Sequence, residues 1–314
     1  MKLLIFGAGA MGSLFGGLFA LKNHEVILLG RGAHIETINQ NGLMLQSNGI
    51  TSVAHVKATC SLKEVDNNVD FVIISTKAFD LASVCKKLRQ WENKSVPIII
   101  LQNGLGNEEI ASNYLKKDRI HRILTSEGAL LKKPGLIEKT GHGSSLIGWF
   151  LESSKSIEFT KKFAVAATAV GLPCQVITNL QQAVWEKLVV NSAINPVGAL
   201  TELKNGEIIE QDWGKQLLRN IARETVNVAQ ANNIKIEIEN PEELPVRVAS
   251  ETKDNICSML ADIKKGQPTE IKYINNAIVE VARKRGIEAP LNTMLTALVT
   301  LKEQKKLAIR PLKS

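Results

Sequence analysis

Hydrophobic positions in the first half of the chain fall in short runs of branched aliphatic residues separated by stretches of helical spacing. KLLIF leads into a helical pattern over 10–22, then come EVILL, a short helix near 35–41, DFVIIS, a helical stretch over 80–91, and PIIILQ. Runs that stay apolar at successive positions suit strands buried on both faces, and their alternation with helices predicts a parallel sheet covered on both sides. Residues 43–58 read as a hairpin inserted into this order. Strand-like pieces over 128–150, a helix near 154–170 and the strand CQVIT complete the half.

After Thr178 the pattern changes. Long helical periods near 181–192, 208–232, 242–264, 269–285 and 291–304 replace the strand signal, with Asn240-Pro241 and Ala289-Pro290 as breaks. The expected architecture is α/β: a doubly wound sheet over 1–178 and an all-α domain over 179–314.

One helix of that second domain breaks the usual division between apolar and polar faces. VWEKLVVNSAIN places Lys187, Asn191 and Asn195 four residues apart among Val184, Trp185, Leu188, Val189, Val190, Ala193 and Ile194. Steps of four drift only about 40° around a helix, so the three polar heads share one face. A snorkelling lysine with two asparagines bonded to nearby backbone would explain the stripe as a core helix. A ligand beside it would explain it as a site.

Composition narrows the classes. The 314 residues are 44% hydrophobic and 22% charged, which is ordinary globular usage and large enough for about two domains. Cys60, Cys85, Cys174 and Cys257 are far apart, without a C-x-x-C pair and without clustered histidines, so reduced thiols and no zinc or other metal site are expected. The net charge of +8 is spread along the chain except for Lys302, Lys305, Lys306, Arg310 and Lys313, and no aromatic lies in that run. It reads as a solvated end rather than a nucleic-acid surface. Leu3 to Leu21 has no charge, but Gly7, Gly9, Gly12, Gly16 and Gly17 interrupt it and no A-x-A site follows, so a buried strand and glycine turn explain it better than a signal peptide.

Gly7-Ala8-Gly9-Ala10-Met11-Gly12 fits G-x-G-x-x-G between the strand KLLIF and a helix, with EVILL as the next strand. In that context the first glycine turns the chain, the second admits a pyrophosphate, and the third packs helix on strand, while the helix N-terminus offers N–H groups to the phosphate. The first domain is therefore expected to be Rossmann-type. At the end of the second strand Leu29-Gly30-Arg31 stands where NAD-binding chains place an acid, so Arg31 favours the 2′-phosphate of NADP. Lys77 in STKAFD and Asn103-Gly104 in LQNGLG end two further parallel strands and are expected to face the cofactor. In the second domain Asn255 and Ser258 are expected on one helix face, with Glu270 in the first turn of the next helix.

Taken in order, GAGAMG, GRGAHIETINQNGLML, STKAFD, LQNGLGN, WEKLVVNSAINPVGAL with KNGE, and NICSMLADI with TEIKYINN resemble the ketopantoate reductases, or 2-dehydropantoate 2-reductases, across nearly the whole chain. The resemblance implies NADPH-dependent reduction of 2-dehydropantoate to pantoate, in pantothenate and coenzyme A synthesis. It places the family's catalytic lysine on Lys187 and its glutamate on Glu270. Substrate contacts fall on Asn191, Asn195, Asn255 and Ser258, with Asn103 between substrate and cofactor and Asn205 as a further asparagine. Gly7, Ala8, Gly9, Ala10, Met11, Gly12, Arg31, Lys77 and Asn103 match the cofactor side.

Hydride transfer to a ketone builds negative charge on its oxygen, which a positioned ammonium stabilises and protonates. Lys187 suits that role, Glu270 can orient it, and the stripe is then expected to line the substrate cleft. Two other readings keep the fold: a reductase of another small branched 2-oxo acid, and a non-catalytic NADPH sensor. Partners are expected to be a small-molecule 2-oxo acid, with no nucleic acid or membrane and a homodimer left open, in the cytoplasm.

Overall fold

Successive residues of the first-half strands point into two different cores. The computed structural model describes residues 1–91, 95–141 and 143–308, with backbone only at 306–308; Arg310, Lys313 and the Lys306 side chain of the basic run lie outside the described residues. The chain divides into two compact units, one formed by Met1–Gln102 with Asn107–Leu180 and the other by Asn103–Gly106 with Gln181–Ser314.

The first unit begins β1 (Lys2–Phe6), α1 (Ala10–Ala20), β2 (Glu25–Leu29), α2 (Ala33–Asn41), β3 (Leu43–Ser47), β4 (Ile50–Ala54), β5 (Lys57–Thr59), β6 (Phe71–Ile74), α3 (Leu81–Gln90) and β7 (Ile98–Ile100). It continues with α4 (Asn107–Ser112), β8 (Ile120–Thr125), β9 (Ala129–Lys133), β10 (Leu136–Lys139), β11 (Ser145–Trp149), α5 (Ser154–Ala169) and β12 (Cys174–Val176). The main sheet runs β12-β11-β8-β7-β6-β1-β2-β5, parallel except that β11 and β12 are reversed. Leu3, Ile5, Val26, Leu28, Phe71 and Ile73 pack with α1, α2 and α5. Leu4, Phe6, Ile27, Leu29, Val72 and Ile74 pack with Leu81, Val84, Cys85 and Leu88 of α3 on the other face. This period-2 division is what a doubly covered sheet requires. β2 and β6 flank β1 on opposite sides, so the strand order reverses there and the carboxyl ends of these strands frame a ligand crevice.

The hairpin expected over 43–58 forms β3 and β4, and joins β10 and β9 in a second sheet of order β4-β3-β10-β9. The apolar pattern does not reveal β8, IHRILT, because His121 and Arg122 interrupt its run. Both are buried on opposite faces: His121 donates from Nδ1 to Thr160 Oγ1 of α5 at 3.0 Å, since Thr160 gives its own proton to the Ser156 carbonyl. Arg122 pairs with Glu108 of α4 at 2.8 Å. The short α4 is also absent from the sequence pattern.

The second unit comprises α6 (Leu180–Thr201), α7 (Asn205–Ile208), α8 (Asp212–Ala231), α9 (Leu244–Glu251), α10 (Ser258–Lys264), α11 (Asn275–Lys284) and α12 (Pro290–Ala308). Trp185, Leu188, Ile194 and Val197 of α6 pack with Leu218 and Ile221 of α8, Leu260 and Ile263 of α10, Ile278 of α11 and Val299 of α12. Three expectations are corrected. The 242–264 period is broken into α9 and α10, so Asn255 lies in the preceding loop and does not share a helix face with Ser258. The 269–285 period starts as a turn, so Glu270 stands five residues before α11 rather than in its first turn. α6 runs on past Ser192 through Pro196. Among the described residues no helix is long and apolar enough to cross a membrane.

Candidate functional site

In the first unit the glycine motif makes the turn between β1 and α1. Gly7 has φ +120°, and a Cβ there would lie 2.6 Å from the Thr76 nitrogen, so only glycine fits. A Cβ at Gly12 would collide with the Gly7 carbonyl and Ser75 Oγ, which itself donates to that carbonyl at 2.7 Å. At Gly9 a Cβ would meet nothing within 4 Å. The first and third glycines are thus required by the protein itself, whereas the space beside the second is open to a ligand.

α1 begins at this open position with Gly9 as its N-cap, no side-chain cap bond and no acid in the first turn. Its leading N–H groups and positive dipole end therefore suit a pyrophosphate, and the residues present fit a dinucleotide. Arg31 is exposed just beyond β2, between Gly30 and Gly32. Gly30 is pressed against Ala8 and Ile35, where a Cβ would come within 2.7 Å of Ala8. Lys77 is half-buried in the turn after β6, where its carbonyl accepts from the Asp80 N–H at 3.0 Å.

Sequence reasoning did not single out His34, which holds this region together. The Gly135 N–H donates to its Nδ1 at 2.9 Å, so Nε2 carries the proton and donates to Ser13 Oγ at 3.0 Å. The ring ties α2, which follows Arg31, to α1 and the β9–β10 turn. Burial pushes its pKa below the usual histidine value, which keeps it neutral. Its partners are 21 and 101 residues away, and no local pattern announces them.

The second unit gathers the other candidates. Lys187 and Asn191 are half-buried on one face of α6 and Asn195 is buried on it. Glu186, which interrupts the apolar face, accepts from Gln182 Nε2 at 3.0 Å and from the Glu237 N–H at 3.2 Å. Cys257 is the N-cap of α10, directly before Ser258, and its thiol donates to the Asn195 carbonyl at 3.3 Å. Burial pushes that thiol up to about 11, so it serves as a neutral donor that joins the Ser258 end of α10 to α6. A Cβ at Gly198 would come within 3.0 Å of the sulfur.

Asn205 holds the loop before Ser258. Its Nδ2 donates to Thr252 Oγ1 at 2.8 Å, and its backbone N–H donates to the Asn255 carbonyl at 2.9 Å. Asn103–Gly106 packs on the turn that carries Glu270. Asn103 Nδ2 donates to Glu270 Oε2 at 3.4 Å, and the Leu105 N–H donates to the Tyr273 carbonyl at 2.8 Å. Gly104, at φ +91°, has the Tyr273 carbonyl where a Cβ would be. Two residues 167 apart in sequence are thereby brought together, with the buried carboxylate facing an amide donor. In the first unit, and absent from the sequence reading, Arg122 donates to the carbonyl of Gln102, the residue before Asn103, at 2.7 Å as well as to Glu108.

A Rossmann-type α/β unit with a glycine-lined helix start, joined in sequence to an all-α unit carrying lysine, asparagine, serine and glutamate candidates, defines a dinucleotide-dependent oxidoreductase class. Comparison with known proteins gives the family: Ketopantoate reductase PanE/ApbA matches residues 3–151, and Ketopantoate reductase PanE/ApbA C terminal matches residues 179–303. The chain belongs to the ketopantoate reductase family. It is 39% identical to a 2-dehydropantoate 2-reductase of Pyrococcus horikoshii over 96% of this chain and 98% of that one. The crystal structure of a PanE/ApbA family ketopantoate reductase from Ralstonia eutropha is similar at TM-score 0.88 and 28% identity, covering 98% and 99% of the two chains. A ternary structure of D-mandelate dehydrogenase with NADH and anilino(oxo)acetate is similar at TM-score 0.91 and 28% identity, with the same coverage.

Proposed function

We propose that this chain reduces 2-dehydropantoate to pantoate with NADPH, through an N-terminal domain (1–178) that binds the cofactor and a C-terminal domain (179–314) that binds the substrate and supplies the proton. The observation that carries the reading is the pairing of Asn103 with Glu270 inside the second compact unit, which sets an amide donor against the buried acid. The name of the 39%-identical relative supports the substrate.

The cofactor supplies a hydride when bound. Gly7 to Gly12 seat its pyrophosphate, Arg31 pairs with the 2′-phosphate, and Lys77 and Asn103 line its path. Lys187 stabilises the charge that develops on the ketone oxygen and delivers a proton from Nζ. Glu270 orients that ammonium. Asn191, Asn195, Asn255 and Ser258 supply neutral donors and acceptors to the substrate's carboxylate and hydroxyl groups, and Asn205 supports them from the loop behind. The protein works in the cytoplasm on a small-molecule substrate, without nucleic acid or membrane, as a monomer or homodimer.

The similarity to D-mandelate dehydrogenase favours a second reading, in which another branched 2-oxo acid is reduced. A panel of 2-dehydropantoate, 2-oxoisovalerate and benzoylformate, compared by kcat/KM with NADPH and with NADH, separates the two. The proposal expects 2-dehydropantoate with NADPH to lead; a higher kcat/KM for another acid or for NADH overturns that part of it.

A further inference from the structure

Pro196 stands inside α6 and has no N–H, so the Ser192 carbonyl loses the partner that an unbroken helix provides four residues on. A buried carbonyl requires a replacement. Asn275, the first residue of α11 and fully buried, provides it: its Nδ2 donates to the Ser192 carbonyl at 2.9 Å and to Asn292 Oδ1 at 2.9 Å. Asn292 is itself fixed, because its Nδ2 and its backbone N–H both donate to Glu224 Oε1 at 2.8 Å. The Leu291 N–H donates to the other oxygen of Glu224 at 2.9 Å.

The Ser192 side chain strengthens the same junction. Thr225 gives its proton to the Ile221 carbonyl, so the Ser192 hydroxyl donates to Thr225 across 3.0 Å. One buried network thus joins α6, α8, α11 and α12 at the point where α6 lacks a backbone bond.

Its place in the chain gives the network a further consequence. Ser192 lies on α6 between Asn191 and Asn195 and five residues after Lys187. Asn275 lies five residues after Glu270 and ends the turn in which the Glu270 carbonyl accepts from the Tyr273 and Ile274 N–H groups. The opposite side of that turn is held by the Leu105 N–H on the Tyr273 carbonyl. We propose that Asn275 is a positioning residue for the reduction: in replacing the N–H that Pro196 lacks, it sets the Lys187 helix in register with the Glu270 turn. The inference rests on the roles of Lys187 and Glu270 given above. A displacement of about 1 Å between reacting groups costs about 100-fold in rate, so such a tie is read in kcat.

The test separates positioning from plain stabilisation. Asn275→Leu removes both donations at similar volume, and Pro196→Ala returns an N–H to the Ser192 carbonyl within the helix. The double variant is expected to recover part of the melting temperature lost by Asn275→Leu, the part due to the Ser192 carbonyl, since Asn292 Oδ1 still lacks its Asn275 donor. Compared with Pro196→Ala alone, and confirmed folded by circular dichroism, it is expected to keep a kcat about tenfold or more lower, with NADPH affinity within about twofold. Recovery of kcat together with melting temperature shows a merely structural Asn275 and overturns the inference. A double variant that melts no higher than Asn275→Leu alone overturns the hydrogen-bond replacement on which it stands. A wild-type chain that reduces no 2-oxo acid overturns the proposed activity and this inference with it, whereas wild-type turnover with an unaffected double variant overturns the inference alone.

Discussion

Lys187 shares its face of α6 with two asparagines, and Glu270 is buried beside the Asn103 amide. If Lys187 donates the proton, Lys187→Ala lowers kcat about 100-fold or more while NADPH affinity, measured by fluorescence titration, stays within about threefold. Wild-type kcat in that variant removes the lysine from the mechanism. Arg31 makes a different prediction, since it is exposed and acts on the cofactor alone: Arg31→Ala lowers the preference for NADPH over NADH about tenfold in kcat/KM, roughly 1.4 kcal/mol, without changing the rate at saturating NADPH. An unchanged preference means that the 2′-phosphate is held elsewhere. At this scale the glycine motif is legible in sequence because Gly7 and Gly12 meet steric demands that no other residue satisfies. His34, Cys257 and Asn275 are not legible, because each acts through a partner that only the fold brings near.

β8 shows how one element carries opposite polar demands on its two faces. The Arg122–Glu108 pair is 1% and 2% exposed, so removing one partner strands a buried charge. Arg122→Met is expected to destabilise the protein by about 3–5 kcal/mol in urea unfolding, and Arg122→Met with Glu108→Leu to recover most of it. Equal stability of the single and double variants contradicts the pairing.

On the other face, burial pushes the His121 pKa down to about 4, below the usual value of about 6.5. The unfolded chain takes up a proton as pH falls through about 6.5, and the folded ring does so only near its lower value, so acidification over that interval favours unfolding. The His121 contribution to stability is expected to be level above pH ~6.5, to fall by up to roughly 3 kcal/mol toward pH ~4, and to level again below. His121→Gln is expected to flatten much of that slope, and an unchanged slope assigns it to other groups; His34, also held neutral by burial, contributes in the same direction. These two polar residues hide β8 from the hydrophobic pattern. The end of α6 escapes for a related reason: Pro196 signals a stop, and the Asn275 donor that lets the helix continue is 79 residues further along the sequence.

For the molecule as a whole, alternating apolar runs followed by helical periods make the two kinds of unit legible, since the pattern follows from which faces are buried. The grouping of Asn103–Gly106 with the helical unit is not legible, because it depends on Gly104 and Leu105 meeting Tyr273. The family matches run through both units in chain order. The most direct test follows the hydrogen: with NADPH deuterated at the transferring C4 position and 2-dehydropantoate as substrate, mass spectrometry is predicted to find pantoate carrying one deuterium at C2. Unlabelled pantoate, or no pantoate beside unconsumed cofactor, would contradict the account.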